Sequence, residues 1–176
     1  MKRLLLLRHA KAVQDGKDGA EDHARELTGR GRKDAAKMGA WLHENGFSPD
    51  RVLCSTSART RETWEIVSEE LGGDPDVEFV KQLYLAPAKA IVSAVQTSGD
   101  AVETLMLIGH NPGMEDIADL LVRPPDDKEE KARLETLRDK FPTAALAVLD
   151  LDIEHWREAK PQDAALAAFV RPKDLG

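Results

Sequence analysis

Four consecutive leucines, Leu4 to Leu7, follow Lys2-Arg3 and end abruptly at Arg8-His9. The run is too short for the apolar core of a secretion signal or for a membrane span. It lacks the polar alternation of a half-exposed strand, so it reads as a strand buried on both faces, as in the middle of a parallel sheet. Three further apolar runs of strand length, Val52 to Cys54, Val77 to Val80 and Leu105 to Ile108, alternate with stretches of helical periodicity. That alternation predicts an α/β fold, a three-layer α/β/α sandwich around a mostly parallel central sheet.

Punctuation residues place the helices. Thr28 is suited to cap a first helix with the apolar stripe Ala35, Met38 and Leu42, and Gly46 to end it in a left-handed conformation. A second helix is expected from about Ser57 to Leu71, with Thr60, Thr63, Trp64, Val67 and Leu71 on one face and Gly72-Gly73 as terminator. Pro87 and Asn111-Pro112 open a third and a fourth, with inner faces of Ala88, Ile91, Val92 and Val95, and of Met114, Ile117, Ala118 and Leu121. The segment from Arg123 to Lys140 is dominated by charge and reads as an exposed loop and short helix. Ala144 to Leu151 and Ile153 to Trp156 are expected to pair as a hairpin around Asp152, and Ala164 to Val170 to add a last edge strand. No repeat or linker divides the chain, so residues 1–176 are read as one domain.

Charge and cysteine usage narrow the function classes. Lys and Arg number 25 against 32 Asp and Glu, a net charge of −7, which disfavours broad attraction to nucleic acid or to an anionic membrane surface. Arg30, Arg32 and Lys33 are accordingly read as a solvated helix face. The single cysteine, Cys54, sits in an apolar run, which excludes an intrachain disulfide and a Cys-based zinc site and fits a reducing cytoplasm. His23, His43 and His155 lack partners at ligand spacing, so neither a metal nor another cofactor is expected.

Chemistry concentrates where strands end. Three of the apolar runs lead into Arg8-His9, Ser55…Arg59 and Gly109-His110-Asn111-Pro112. Ligand crevices of open α/β sheets lie outside the carboxyl ends of the strands, so these segments can converge on one site. Arg8 and Arg59 offer planar forks for phosphoryl oxygens, and Asn111, as a helix cap, leaves His110 near the positive end of a helix dipole. Two histidines with two arginines suggest covalent phosphoryl transfer, with His9 attacking phosphorus and His110 donating to a phosphoryl oxygen. A neutral His9 needs an acceptor, such as a backbone carbonyl, for its second ring nitrogen.

These motifs, Arg8-His9-Ala10, Ser55…Arg59-Thr60-x-Glu62-Thr63 and Gly109-His110-Asn111-Pro112-Gly113, resemble the histidine phosphatase superfamily. Within it they are most similar to the short bacterial phosphohistidine phosphatases of the SixA type. The resemblance extends to Arg25-x-Leu27-Thr28-x-x-Gly31, Phe141-Pro142-Thr143 and the tail Arg171 to Leu175. It implies the phosphoglycerate mutase-like fold, a His9 phosphorylated in turnover, a phosphate pocket of Arg8, Arg59 and His110 with Asn111 beside it, and Arg25 at the pocket mouth. The implied partner is a phosphohistidine-bearing protein such as a histidine phosphotransfer domain, with phosphate or its analogues in the pocket.

The chain departs from larger superfamily members by carrying Ala10 for glycine, Thr56 for proline and Thr60 for alanine. It also has no acidic residue in Gln82 to Pro87, where ester-cleaving members carry a proton donor. General acid catalysis contributes about 10²–10⁴-fold, so an alkoxide leaving group would suffer, whereas imidazole can leave already protonated. Glu115 or Asp116 in the fourth helix could substitute. Three functions follow: a phosphohistidine phosphatase, a phosphatase for small phosphate monoesters, or a phosphohistidine-binding module with little turnover.

Overall fold

In the computed structural model, which describes residues 1–14 and 21–176, the leucine run lies in strand β1 (Lys2–Arg8), inside a six-stranded sheet. The other strands are β2 (Arg51–Ser55), β3 (Asp76–Val80), β4 (Thr104–Gly109), β5 (Leu146–Leu151) and β6 (Ala164–Val170). Their spatial order is β3-β2-β4-β1-β5-β6. The first four in that order run parallel, and β5 and β6 continue the sheet antiparallel.

The pleat sends alternate leucines to opposite layers. Leu4 and Leu6 join a core with Leu105, Leu107 and Leu149, while Leu5 and Leu7 join another with Val52, Cys54, Met106 and Ile108. All four leucines are fully buried, each contributing roughly 1.5–3 kcal/mol over an exposed side chain. Helices α1 (Gly29–Glu44) and α2 (Ala58–Leu71) cover the Leu5 face. The Leu4 face is covered by α3 (Ala88–Gln96), α4 (Gly113–Leu121) and α5 (Lys128–Asp139). Both helical layers predicted from the alternation are present. No helix among the described residues is long and apolar enough to cross a membrane.

Local signals act as expected at α1 and α2. The Thr28 hydroxyl accepts from the Gly31 amide at 3.0 Å, and Gly46 follows the helix at φ 72°. The Ser57 hydroxyl caps α2 by accepting from the Thr60 amide at 3.3 Å. Gly31 has a second role, because a Cβ there would stand 2.1 Å from the Lys11 carbonyl oxygen. The first turn of α1 therefore presses directly against the segment that follows His9. Pro87 and Pro112 each stand one position before the first helical residue.

Two expectations need correction. Ile153 to Trp156 does not pair with β5; the chain instead enters a 3₁₀ turn at Trp156–Glu158 that buries Ile153 and Trp156, and β6 is the antiparallel partner of β5. The apolar pair is three residues apart, a spacing that a turn satisfies as well as a strand. Beyond the loop that opens it, the charged segment from Arg123 forms the three-turn α5, which buries Glu130, Leu134 and Leu137 against the sheet.

Candidate active site

Strands β2, β4 and β1 are adjacent and parallel, so Ser55, Gly109 and Arg8 end on one edge of the sheet. The connections through α1 and α2 cover one face and the return through α3 covers the other, which leaves a crevice at this edge. A cavity of about 400 Å³ opens there and is lined by all six residues singled out from the sequence: Arg8, His9, Arg25, Arg59, His110 and Asn111.

His9 leaves the end of β1 with its amide bonded to the Gly109 carbonyl at 3.1 Å. Its Nδ1 is 2.7 Å from the Ala10 carbonyl oxygen. A carbonyl can only accept, so Nδ1 carries the proton and Nε2 keeps its lone pair. This is the acceptor that the sequence could not name. Burial, with Arg59 and Arg8 nearby, lowers the His9 pKa to about 4, so the ring is neutral at physiological pH. The Ala10 amide is fixed in turn by the Thr63 hydroxyl at 3.0 Å. On the other side the Ala144 amide, at a left-handed φ of 61°, donates to the Arg8 and His9 carbonyls at 3.2 and 3.0 Å.

His110 lies beside it, with ring centroids 5.3 Å apart. Its Nδ1 is 3.2 Å from Arg59 Nη2 and its Nε2 is 2.7 Å from Ser55 Oγ. Because a guanidinium can only donate, His110 accepts at Nδ1 and donates from Nε2 to Ser55. Burial foremost, then His9 and Arg59, lowers its pKa to about 3.

The arginines are held from behind. Arg8 Nη1 donates to the Phe141 carbonyl at 3.0 Å, which also takes the Asn111 side-chain amide at 2.9 Å. Asn111 Oδ1 accepts from the Glu115 amide at 3.2 Å, so Asn111 joins the start of α4 to the pocket wall. Arg59, from the first turn of α2, is 2% exposed. It donates to the Asp22 carbonyl at 2.8 Å and to the Asp22 carboxylate at 3.1 Å. The Nε atoms of Arg8 and Arg59 are buried without a hydrogen-bond partner among the described residues. Two guanidinium groups lining one cavity mark it as an anion site.

Asp22 was not legible in the sequence. It sits on a 3₁₀ turn (Asp22–Ala24) and gathers Arg59, Arg25 Nε at 3.0 Å and the Tyr84 hydroxyl around one carboxylate. The Tyr84 hydrogen bond and Arg59 pull its pKa down to about 2. The same turn places His23 at 2.9 Å from the Thr56 hydroxyl, so the threonine that replaces proline secures the Asp22 turn. Glu115 and Asp116 lie in the first turn of α4 and line a different cavity.

The model for the histidine phosphatase superfamily (branch 1) matches residues 4–83. A structure from Agrobacterium tumefaciens assigned as the phosphohistidine phosphatase SixA is 31% identical. Its TM-score is 0.78, over 97% of this chain and 98% of that one. The chain belongs to the histidine phosphatase superfamily. Phosphatase chemistry comes with that membership. A second structure similarly assigned, from Nakamurella multipartitia, superposes with a TM-score of 0.81 at 28% identity over 97% of this chain and 96% of the other. An uncharacterized protein of Mycobacterium tuberculosis is 35% identical over 167 residues, covering 95% of this chain and all of its own.

Set among superfamily motifs, the unforeseen parts are Asp22, Tyr84 and the partnerships of Ser55 and Thr63. Ser55 and Thr63 stand inside the recognised run, yet only the fold shows which groups they touch. Asp22 and Tyr84 meet across 62 residues of sequence with no spacing to announce it.

Proposed function

We propose that the chain is a cytoplasmic phosphohistidine phosphatase that acts on a partner protein through a phospho-His9 intermediate. One observation carries this reading over ester hydrolysis. Among the described residues, the one carboxylate lining the pocket is Asp22, and it is held ionised by Tyr84, Arg59 and Arg25. A carboxylate with a pKa of about 2 has no proton to give an alkoxide at neutral pH. An imidazole departing from a phosphoryl group can already carry its proton on the other nitrogen.

In this mechanism His9 Nε2 attacks phosphorus in line. The Nε2–P bond forms as the P–N bond of the substrate breaks, and the electron pair stays on the departing imidazole nitrogen. Arg8 and Arg59 neutralise the equatorial oxygens. With a phosphoryl group present, Arg59 Nη2 turns to it, Ser55 donates its hydroxyl to His110 Nε2, and His110 presents a protonated Nδ1 to the same anion. Water then attacks the phosphorus of phospho-His9, and phosphate leaves as Nε2 regains its lone pair. Arg25 and Asn111 border the incoming phosphoryl group.

The test is a rapid acid-avoiding quench of enzyme with a radiolabelled phosphohistidine peptide. The expected result is label on the chain that survives base, is lost in acid, and disappears in His9→Ala. A binding module would retain the peptide without acquiring label. The substrate class is read by kcat/KM, and a much higher value for phosphate monoesters than for phosphohistidine would reverse the assignment.

A further inference from the structure

Next to the catalytic cavity lies a second of about 380 Å³, and the two share Lys11 and Thr143 as a common wall. Three elements remote in sequence form the second cavity. Arg30 and Asp34 come from the start of α1, Pro142 and Thr143 from the approach to β5, and Arg171, Pro172 and Lys173 from the turn that follows β6. Gly31 holds the first of these in place by its contact with the Lys11 backbone. The Arg171 guanidinium holds the turn through two bonds to Asp174, at 2.9 and 3.0 Å. Arg30 projects into solvent with its side chain 77% exposed, 4.0 Å from Asp34.

The charge of this surface runs against that of the chain. Among the described residues lining the two cavities, seven side chains are basic and two, Asp22 and Asp34, are acidic, although the chain carries a net −7. Arg8, Arg25 and Arg59 belong to the phosphate pocket. Lys11, Arg30 and Lys173 extend the same positive field sideways, beyond the reach of a single phosphoryl group. A small phosphate ester has nothing to place there.

We propose that Lys11, Arg30 and Lys173 form a docking shelf for an acidic segment of the partner protein, whose carboxylates flank the phosphorylated side chain. The proposal rests on the reading that the phosphoryl group arrives on a protein. The shelf supplies steering and register, while Arg8 and Arg59 grip the phosphate itself. Complementary charge at an interface rim acts mainly on encounter and on salt sensitivity.

Two histidine-phosphorylated peptides test it, one with aspartates and glutamates on both flanks and one with lysines, alongside free phosphohistidine. The acidic-flanked peptide is expected to show about tenfold higher kcat/KM at low salt, in the range of electrostatic steering. The preference fades toward 1 M salt, where the Debye length is about 3 Å. The double variant Arg30→Glu/Lys173→Glu abolishes or inverts the preference while hydrolysing free phosphohistidine at the wild-type rate. Equal kcat/KM for the two peptides, or a preference that survives the double variant, overturns the shelf. Stronger inhibition by a single-stranded oligonucleotide than by polyglutamate overturns its assignment to an acidic protein. The same flanks around phosphotyrosine separate this proposal from the substrate reading. A flank preference there without turnover of phosphohistidine keeps the shelf and discards the N–P assignment, whereas phosphohistidine turnover without flank preference does the reverse.

Discussion

The Thr63 hydroxyl accepts the amide of Ala10 at 3.0 Å and donates to the Arg59 carbonyl at 2.7 Å, so one buried side chain joins the backbone behind the proposed nucleophile to the helix that carries the phosphate-binding arginine. Replacing it by valine keeps the volume and leaves the Ala10 amide buried without an acceptor. Thr63→Val is expected to lose about 1–3 kcal/mol of stability in urea denaturation. At a temperature where the variant is folded, kcat should fall more than KM rises, because the Ala10 carbonyl that holds His9 is no longer fixed. Thr63→Ser, which restores the hydroxyl, should recover most of kcat. A purely structural role would lower Tm with kcat intact.

The two low histidine pKa values give a signed pH dependence. His9 and His110 titrate near 4 and 3 in the folded chain and near 6.5 when unfolded. Between those limits the unfolded state binds more protons, so stability rises with pH in that window and is lost as pH falls from about 6.5 toward 4. Tm is expected to drop over that interval in the wild type and to drop less in His110→Gln. The acid limb of kcat/KM should lie near pH 4, and a limb centred near 6.5 would remove neutral His9 as the nucleophile.

Arg59 combines charge with a fork, and two substitutions separate them. Arg59→Ala is expected to lose about 2 kcal/mol or more of transition-state stabilisation, roughly thirtyfold in kcat/KM. Arg59→Lys keeps the charge but cannot hold Asp22 and a phosphoryl oxygen together, so it should recover only part of the loss. A near-wild-type rate for Arg59→Ala would take it out of the site.

Gly31→Ala introduces a methyl group 2.1 Å from the Lys11 carbonyl oxygen, a backbone atom that cannot swing aside. The cost is expected at about 1–3 kcal/mol, as for other overpacked positions. At the exposed Gly29, where a Cβ would meet nothing, the same substitution should leave Tm unchanged or slightly raised. Thermal melts of the two variants give the comparison.

How much of this was legible depended on whether a residue's signal was local. The leucine run, the cap at Thr28 and the polar residues at three strand ends each carry their meaning within a few positions, and the parallel sheet then brings Arg8, His9, Arg59 and His110 together. α5 was under-read because its outer faces are charged and only Leu134 and Leu137, with Glu130, turn inward. Ile153 and Trp156 are both buried, and burial alone does not distinguish a strand from a turn. Asp22 stood in a polar stretch with no periodicity, and its role came from meeting Arg59 and Tyr84 in space.

The Phe141 carbonyl takes donors from both Arg8 and Asn111, just as the Ala10 carbonyl takes His9 and the Asp22 carbonyl takes Arg59. An oxygen of the main chain survives every substitution at its own position. These acceptors are set by the path of the chain rather than by the side chains at 10, 22 and 141. Those side chains answer to other demands, since Ala10 and Phe141 fill the core and the Asp22 carboxylate also holds Arg59, Arg25 and Tyr84.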